Sequence, residues 1–218
     1  MAKILSVSDV ESGIIYSQSA PQRFPDIDMV ISCGDLPAFY LDFIASTLHV
    51  PLYYVMGNHH NLPVLSDSGK LEIENSGGIN LHRSVVNYEH QILLAGVEGC
   101  LRYNNGKKQY TEREMWLNVF SLVPGLFINK MRFGRYLDIF VTHAPPWQIH
   151  DRDDRAHRGV KAFRWLIHCF EPAIHLHGHV HIYNNSDVTE TLFENTRIIN
   201  TYGYRELNFE PQSSPNKK

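Results

Sequence analysis

The chain has 218 residues, 43% of them hydrophobic, which suffices to bury a full core and excludes an intrinsically disordered protein. A formal net charge of −3 lacks the basic excess that holds nucleic-acid backbones non-specifically, which weighs against a nucleic-acid partner without excluding one. No apolar run reaches the roughly 18–20 residues of a membrane span, Met1–Val7 shows no signal-peptide layout, and Cys33, Cys100 and Cys169 have no metal-finger spacing; a cytoplasmic protein with reduced, mostly buried thiols and no membrane partner is expected.

Ile4–Val7 is a short apolar run ending at Ser8-Asp9 and predicts the first strand. A short helix fits between Glu11 and Gln22, stopped by Pro21 and Pro25. Asp28–Cys33 repeats the strand design and ends at Gly34-Asp35, and Ala38–Leu48 predicts a helix with Pro37 at its first turn. Pro51–Met56 is a third buried strand, ending at Gly57-Asn58. Ser84-Val85-Val86 and Gln91–Gly96 read as hairpin strands, and Leu101–Tyr110 as a polar loop. Thr111 and Glu114 form a capping box for a helix running toward Val123, with Pro124-Gly125 breaking it or beginning a second one.

Leu137–Val141 predicts a strand ending at Thr142-His143. Val160–Phe170 has helical period, with Phe163, Leu166, Ile167 and Phe170 on one face and Cys169 also assigned to an apolar face. Trp116, Phe120 and Phe127 are expected in helix core or at a cleft rim. Ala173–His177 predicts a strand ending at Gly178-His179; Tyr183–Tyr204 adds two more, with Tyr202 and Tyr204 in the closing one, and Ser213–Lys218 frays. Strands alternating with helices argue for stacked α/β layers, and the absence of repeats or linkers for one domain over residues 1–218.

Five blocks each end a predicted strand with a hard metal ligand: Asp9-Val10-Glu11, Gly34-Asp35, Gly57-Asn58-His59-His60, Thr142–Pro146 and Gly178-His179-Val180-His181. Each alone reads as a turn or helix cap. Together they supply carboxylates, an amide oxygen and imidazoles at strand carboxyl ends, where open α/β sheets place their ligands. Oxygen donors suit Mg or Mn, and imidazole adds affinity for Zn, Fe or Mn. Two such ions about 3.5–4 Å apart can hold a phosphate and activate a water. His179 and His181 alternate along an extended segment and so point the same way. His175 and His177 share that parity further inside and read as satisfied buried histidines or as groups that orient ligands.

The order Asp-x-x, Gly-Asp, Gly-Asn-His, His, Gly-His-x-His, spread from Asp9 to His181, resembles the calcineurin-like metallophosphoesterase superfamily. The resemblance implies a four-layer α/β/β/α sandwich of mixed sheets with a dinuclear centre at one edge, holding two divalent ions, Mn first, with Fe, Zn or Mg also suitable. Carried over residue by residue, Asp9, Asp35 and His181 hold the first ion; Asp35 bridges to the second, held also by Asn58, His143 and His179. A hydroxide between the ions is the implied nucleophile, and His59 lies near the leaving oxygen as general acid or charge stabiliser.

Two positions depart from the family pattern. Glu11 stands where the first block usually has histidine; it is a ligand of the first ion, a group behind the ligands, or neither. Leu36-Pro37-Ala38-Phe39 offers no acidic residue to orient His59, and His60 replaces the acidic residue that often follows it; Asp42 and Asp67 are possible substitutes.

The segment Pro145–Gly159 follows a ligand and is polar, so it forms either the wall of a substrate cleft, with His150, Asp151, His157 and Arg158 contacting phosphate or leaving group, or a solvated loop. The reaction expected is hydrolysis of a phosphodiester, a nucleotide or small phosphorylated metabolite, with a monoester as an alternative. A nuclease is a second reading. A non-catalytic binding module that kept the fold is a third, disfavoured by the retained ligand set.

Overall fold

The structure is a computed structural model and describes residues 1–59, 64–66, 69–71, 77–89, 92–184 and 186–211; His60, Asp67, Gln91 and the tail Ser213–Lys218 lie outside the described residues. Two sheets face each other. In the first, β1 (Ala2–Ser8) lies parallel to β2 (Met29–Ser32), β2 to β3 (Leu52–Tyr54), and β3 to β6 (Ile79–Asn80), while β15 (Gly203–Phe209) closes the other edge antiparallel to β1. The second runs β13 (Glu190–Phe193), β14 (Thr196–Asn200), β12 (Ile174–His177), β11 (Ile139–Thr142), β8 (Ile92–Val97), β7 (Ser84–Tyr88). Its four central strands are parallel and both edges antiparallel. Two small ladders accompany them: β4 (Val64–Ser66) with β5 (Gly69–Leu71), and β9 (Cys100–Leu101) with β10 (Gln109–Tyr110).

The period-two alternation of side chains explains the layers. Ile4, Met29, Ile31, Tyr53 and Val55 point inward and meet Leu94, Ile139, Val141, Ile174, Leu176 and Ile199 of the opposing sheet. Their neighbours Leu5, Val7, Val30, Leu52 and Tyr54 point outward, onto α1 (Ala20–Arg23) and α2 (Ala38–Leu48), through Phe24, Tyr40, Leu41 and Ile44. On the far side Ala95, Val97, Phe140 and Ile198 cover α3 (Glu112–Phe120), α4 (Val123–Phe133) and α5 (Lys161–Phe170), through Met115, Val119, Leu126, Phe163, Leu166 and Ile167. The result is the α/β/β/α sandwich. Each fully buried Leu, Ile or Phe contributes about 1.5–3 kcal/mol, so these layers outweigh the exposed ion pairs in holding the fold. No helix among the described residues is long and apolar enough to cross a membrane.

The capping box is present: Thr111 Oγ1 accepts from the Glu114 amide at 3.2 Å, and Glu114 Oε2 accepts from the Thr111 amide at 2.7 Å. Pro124 begins α4 rather than only breaking α3. Several expectations are corrected. Pro21 does not stop a helix; it lies in the first turn of α1, where its missing N–H has no intrahelical partner to lose. The 101–110 loop carries β10, and the tail forms three strands, with Tyr204 in the last and Tyr202 just before it. Cys169 is exposed, off the Phe163–Leu166–Ile167–Phe170 stripe. Phe120 and Phe127 are about half exposed, and Trp116 packs on Trp165.

Candidate metal centre

β1 and β2 end side by side in one sheet, and the ends of β11 and β12 in the other sheet meet them, through His143 at the Cys33 carbonyl and the His179 amide at Asp9. Each places one ligand candidate at its carboxyl end. Three of these residues, Asp9, Asp35 and His179, have φ of 64°, 56° and 67°. That left-handed conformation is uncommon for non-glycine residues and turns each side chain back over the strand ends. Two glycines of the blocks are there for room. A Cβ on Gly57 would overlap the Asp35 carboxylate, and one on Gly178 would overlap Ser8 Oγ and the Asp9 carboxylate.

His143 is fully buried at the focus. Its Nδ1–H donates to the Cys33 carbonyl at 2.7 Å, which turns Nε2 toward the site. Around Nε2 stand Asn58 Oδ1 at 3.0 Å, His179 Nδ1 at 3.1 Å and Asp35 Oδ2 at 3.2 Å. His179 Nε2–H donates to the Ala156 carbonyl at 2.7 Å, so its Nδ1 also presents a lone pair inward. Asp35 Oδ1 accepts from the His59 amide at 2.8 Å, and both Asp9 oxygens accept from the His179 amide, at 3.0 and 3.2 Å.

Three acceptors thus crowd one imidazole nitrogen, which has at most one proton to share among them. Burial works against a charged His143, but the Asp35 and Asp9 carboxylates outweigh it and push the imidazole up to about 9. Burial acts to raise Asp35 as well, yet His143 and His59 hold it well below the usual carboxylate range. Burial, reinforced by His143, lowers His179 to about 3, so it stays neutral and available as a ligand. Burial raises Asp9, partly offset by His143.

A divalent cation fits this donor set better than a proton. Donors on an ion held at about 2.1 Å sit about 3 Å from one another, the spacing at which the other three stand from His143 Nε2. Asp35, His143 and His179 form a group able to hold a metal ion. Asn58 adds its amide oxygen to the same focus.

The remaining sequence candidates divide. His181 directs Nδ1 at the Tyr183 hydroxyl (3.1 Å) and packs on Tyr202, whose phenol in turn feels Asp9. Glu11 is exposed and acts electrostatically on the Tyr40 phenol. The ring of His157 lies 5.3 Å from that of His179, with Nδ1 held by Asp154. His150 turns away to His177 Nε2 (2.9 Å) and Thr191 Oγ1 (2.9 Å). Asp151 accepts from the Gly159 amide at 3.0 Å, and Arg158 is exposed and interacts with Glu112. Asp42 is exposed on α2 beside a groove that includes Tyr16 and Phe43.

The shared parity of His175, His177, His179 and His181 does not hold, because β12 ends at His177 and His179 is left-handed. His175 is not fully satisfied either. The Thr142 hydroxyl donates to the Ala144 carbonyl and so accepts from His175 Nε2–H at 2.8 Å; His175 Nδ1 is buried without a partner among the described residues. Sequence reasoning missed Tyr103 at the site. It sits in a loop without periodicity, and only its contacts with Asn58 and His59 reveal it.

The profile of the calcineurin-like phosphoesterase family matches residues 3–183. No curated protein matches the chain in sequence. Among solved structures, TT1561 of Thermus thermophilus superposes with a TM-score of 0.61 at 16% identity, covering 93% of this chain and 89% of that one. GAP50, the anchor in the inner membrane complex of Plasmodium, superposes with 0.51 at 12% identity, over 92% of this chain and 71% of its own. These likenesses show the fold; the profile match and the Asp35–His143–His179 group support a metal-dependent phosphoesterase. Matched over most of its length by that profile, the chain belongs to the calcineurin-like phosphoesterase family.

Proposed function

We propose that the protein hydrolyses phosphodiesters, a nucleotide or another small phosphorylated metabolite, with two divalent ions at the strand ends, Mn foremost. The observation that carries this reading is the convergence of Asp35, Asn58 and His179 on His143 Nε2 within 3.0–3.2 Å. These four residues would hold one ion. Asp9, Asp35 and His181, with Glu11 as a further candidate two residues after Asp9, would hold the other.

Bound divalent ions supply charge for the phosphate oxygens and a water of lowered pKa as nucleophile. The protein's own groups do the rest. Main-chain carbonyls of Cys33 and Ala156 fix the ring orientations of His143 and His179, so each would present a nitrogen to an ion without turning, His143 giving up its Nε2 proton as the ion binds. Asp35 is held ionised, and its two oxygens face different partners, which suits a bridging carboxylate. His59 is exposed at the mouth, its amide anchored to Asp35 and its imidazole available to meet a leaving oxygen as acid or charge stabiliser. His157, beside His179, is the member of the 145–159 segment best placed to meet a substrate.

The test is turnover of a panel of aryl phosphodiesters and phosphomonoesters with Mn, Mg, Zn or Fe added, alongside metal analysis of protein purified without added metal. Near-stoichiometric metal and diester hydrolysis support the reading. Metal uptake with monoester turnover alone overturns the diester assignment, and no metal with no turnover favours a non-catalytic module.

A further inference from the structure

We propose that Tyr103 is a positioning residue of this centre, its phenol hydroxyl holding the His59 imidazole and the Asn58 amide in working orientation. The inference deepens the phosphodiesterase reading and rests on it. His59 is exposed, residues 36–39 are not acidic, and Asp42 is exposed on α2 beside a groove that includes Tyr16 and Phe43. Among the described residues the ring's hydrogen-bond partner is the Tyr103 hydroxyl, 3.3 Å from Nε2. The same oxygen lies 3.0 Å from Asn58 Nδ2, and Asn58 is buried.

The direction of these bonds is constrained. An amide nitrogen only donates, so the phenol oxygen accepts from Asn58 and has its own hydrogen left for His59 Nε2. In that arrangement Asn58 Oδ1 must face inward, where it stands 3.0 Å from His143 Nε2. One hydroxyl therefore selects the amide rotamer that presents oxygen to the cation focus and fixes the imidazole above it. With Nε2 engaged, Nδ1 is the ring nitrogen left to face a substrate.

Tyr103 can do this because its loop is tied down. Gln109 Oε1 accepts from the amides of Tyr103 and Asn104, both at 3.1 Å, and Gln109 Nε2 donates to Asn104 Oδ1 at 2.6 Å. Lys108 and Tyr110 both bind Glu98 Oε1, anchoring the base of the loop to a buried carboxylate. A neutral phenol orients the imidazole without adding the charge that a carboxylate would bring. Its effect belongs in proton transfer to the leaving group.

The experiment compares full-length, metal-loaded wild type with Tyr103→Phe, His59→Ala and the double variant, on diesters with 4-nitrophenol or unactivated phenol as leaving group. For the poor leaving group, Tyr103→Phe is expected to lower kcat by about tenfold with KM nearly unchanged, a fraction of what a positioned acid supplies. The good leaving group should show little loss, and the double variant no more loss than His59→Ala. In metal-free protein, the histidine-ring ¹⁵N spectrum of Tyr103→Phe should show shifted His59 signals, with the His143 and His179 tautomers kept. An unshifted His59 ring, equal losses for both leaving groups, or losses that add to those of His59→Ala would overturn the proposal. If wild type turns over no ester, the phosphodiesterase reading fails, and the ring spectrum alone then decides whether Tyr103 holds His59.

Discussion

His179 Nδ1 faces His143 Nε2 across 3.1 Å, while the other nitrogen of each ring is bound to a main-chain carbonyl. Two lone-pair donors so placed repel unless a cation or a shared proton lies between them, and Asp35 and Asn58 add further negative potential at the same spot. Divalent ion should therefore stabilise the fold. At free Mn about 1,000-fold above its Kd the gain is about 4 kcal/mol, on the order of 10 °C in Tm for a chain of this size. Scanning calorimetry with and without Mn measures it. His143→Ala should abolish the Mn-dependent rise, and a rise that survived would place the ion elsewhere.

Gly178→Ala puts a methyl group against Ser8 Oγ and Cβ and the Asp9 carboxylate, so those side chains must shift. Overpacking of this kind costs about 1–3 kcal/mol, and here it also displaces a ligand candidate. The expected outcome is a lowered Tm together with a lowered metal content. Gly13→Ala meets nothing within 4 Å and serves as the control, with Tm and metal content near wild type.

The layered fold is legible in the sequence because buried parallel strands are near-continuous apolar runs, and Ile4–Val7, Met29–Ser32 and Ile139–Thr142 are runs of that kind. The focus of the site is legible because its ligands sit where such strands stop. What lies beyond a strand end is not. Period-two parity put His175 through His181 on one face, but the chain leaves the extended conformation at Gly178-His179. Substrate-facing roles in the 145–159 segment depend on loop hydrogen bonds, which send His150 toward His177 and His157 toward His179. Tyr103 arrives from a loop more than forty residues from His59, a long-range contact that composition and spacing do not encode.

His150, His175 and His177 add to the acid sensitivity that His179 brings at the ligand focus. His177 Nδ1–H donates to the Gly178 carbonyl, so its Nε2 accepts from His150 Nδ1–H, and His150 Nε2 accepts from the Thr191 hydroxyl. Neither His150 nor His177 can gain a proton without losing an accepted bond. Burial lowers His150 to about 4 and His175 to about 3. The unfolded chain binds these protons near pH 6.5, before the folded one does, so stability is complete above that pH and falls as pH drops toward 4. His150 alone accounts for on the order of 3 kcal/mol by pH 4. Denaturant unfolding at pH 7.5, 5.5 and 4.5 measures the slope, which His150→Asn should reduce. A variant with the wild-type slope would assign the loss to other groups.

Asp35 tests the centre itself. Its Oδ1 holds the His59 amide and its Oδ2 faces His143, so the two oxygens have different partners. Asp35→Asn keeps the volume and one acceptor oxygen for the His59 amide, but loses the charge that would offset two dications. Turnover should fall by more than about 10³-fold and metal content should drop, because a neutral amide bridges two dications poorly. The metal-free Tm should fall as well, because Asp35 and the buried His143 form a pair at 3.2 Å, while the apolar layers still hold a folded protein on which metal content and turnover can be read. Metal analysis beside kinetics separates the two effects. Near-native turnover in Asp35→Asn would show that no carboxylate bridge is needed there, and the two-ion reading would then give way to a single ion held by Asn58, His143 and His179.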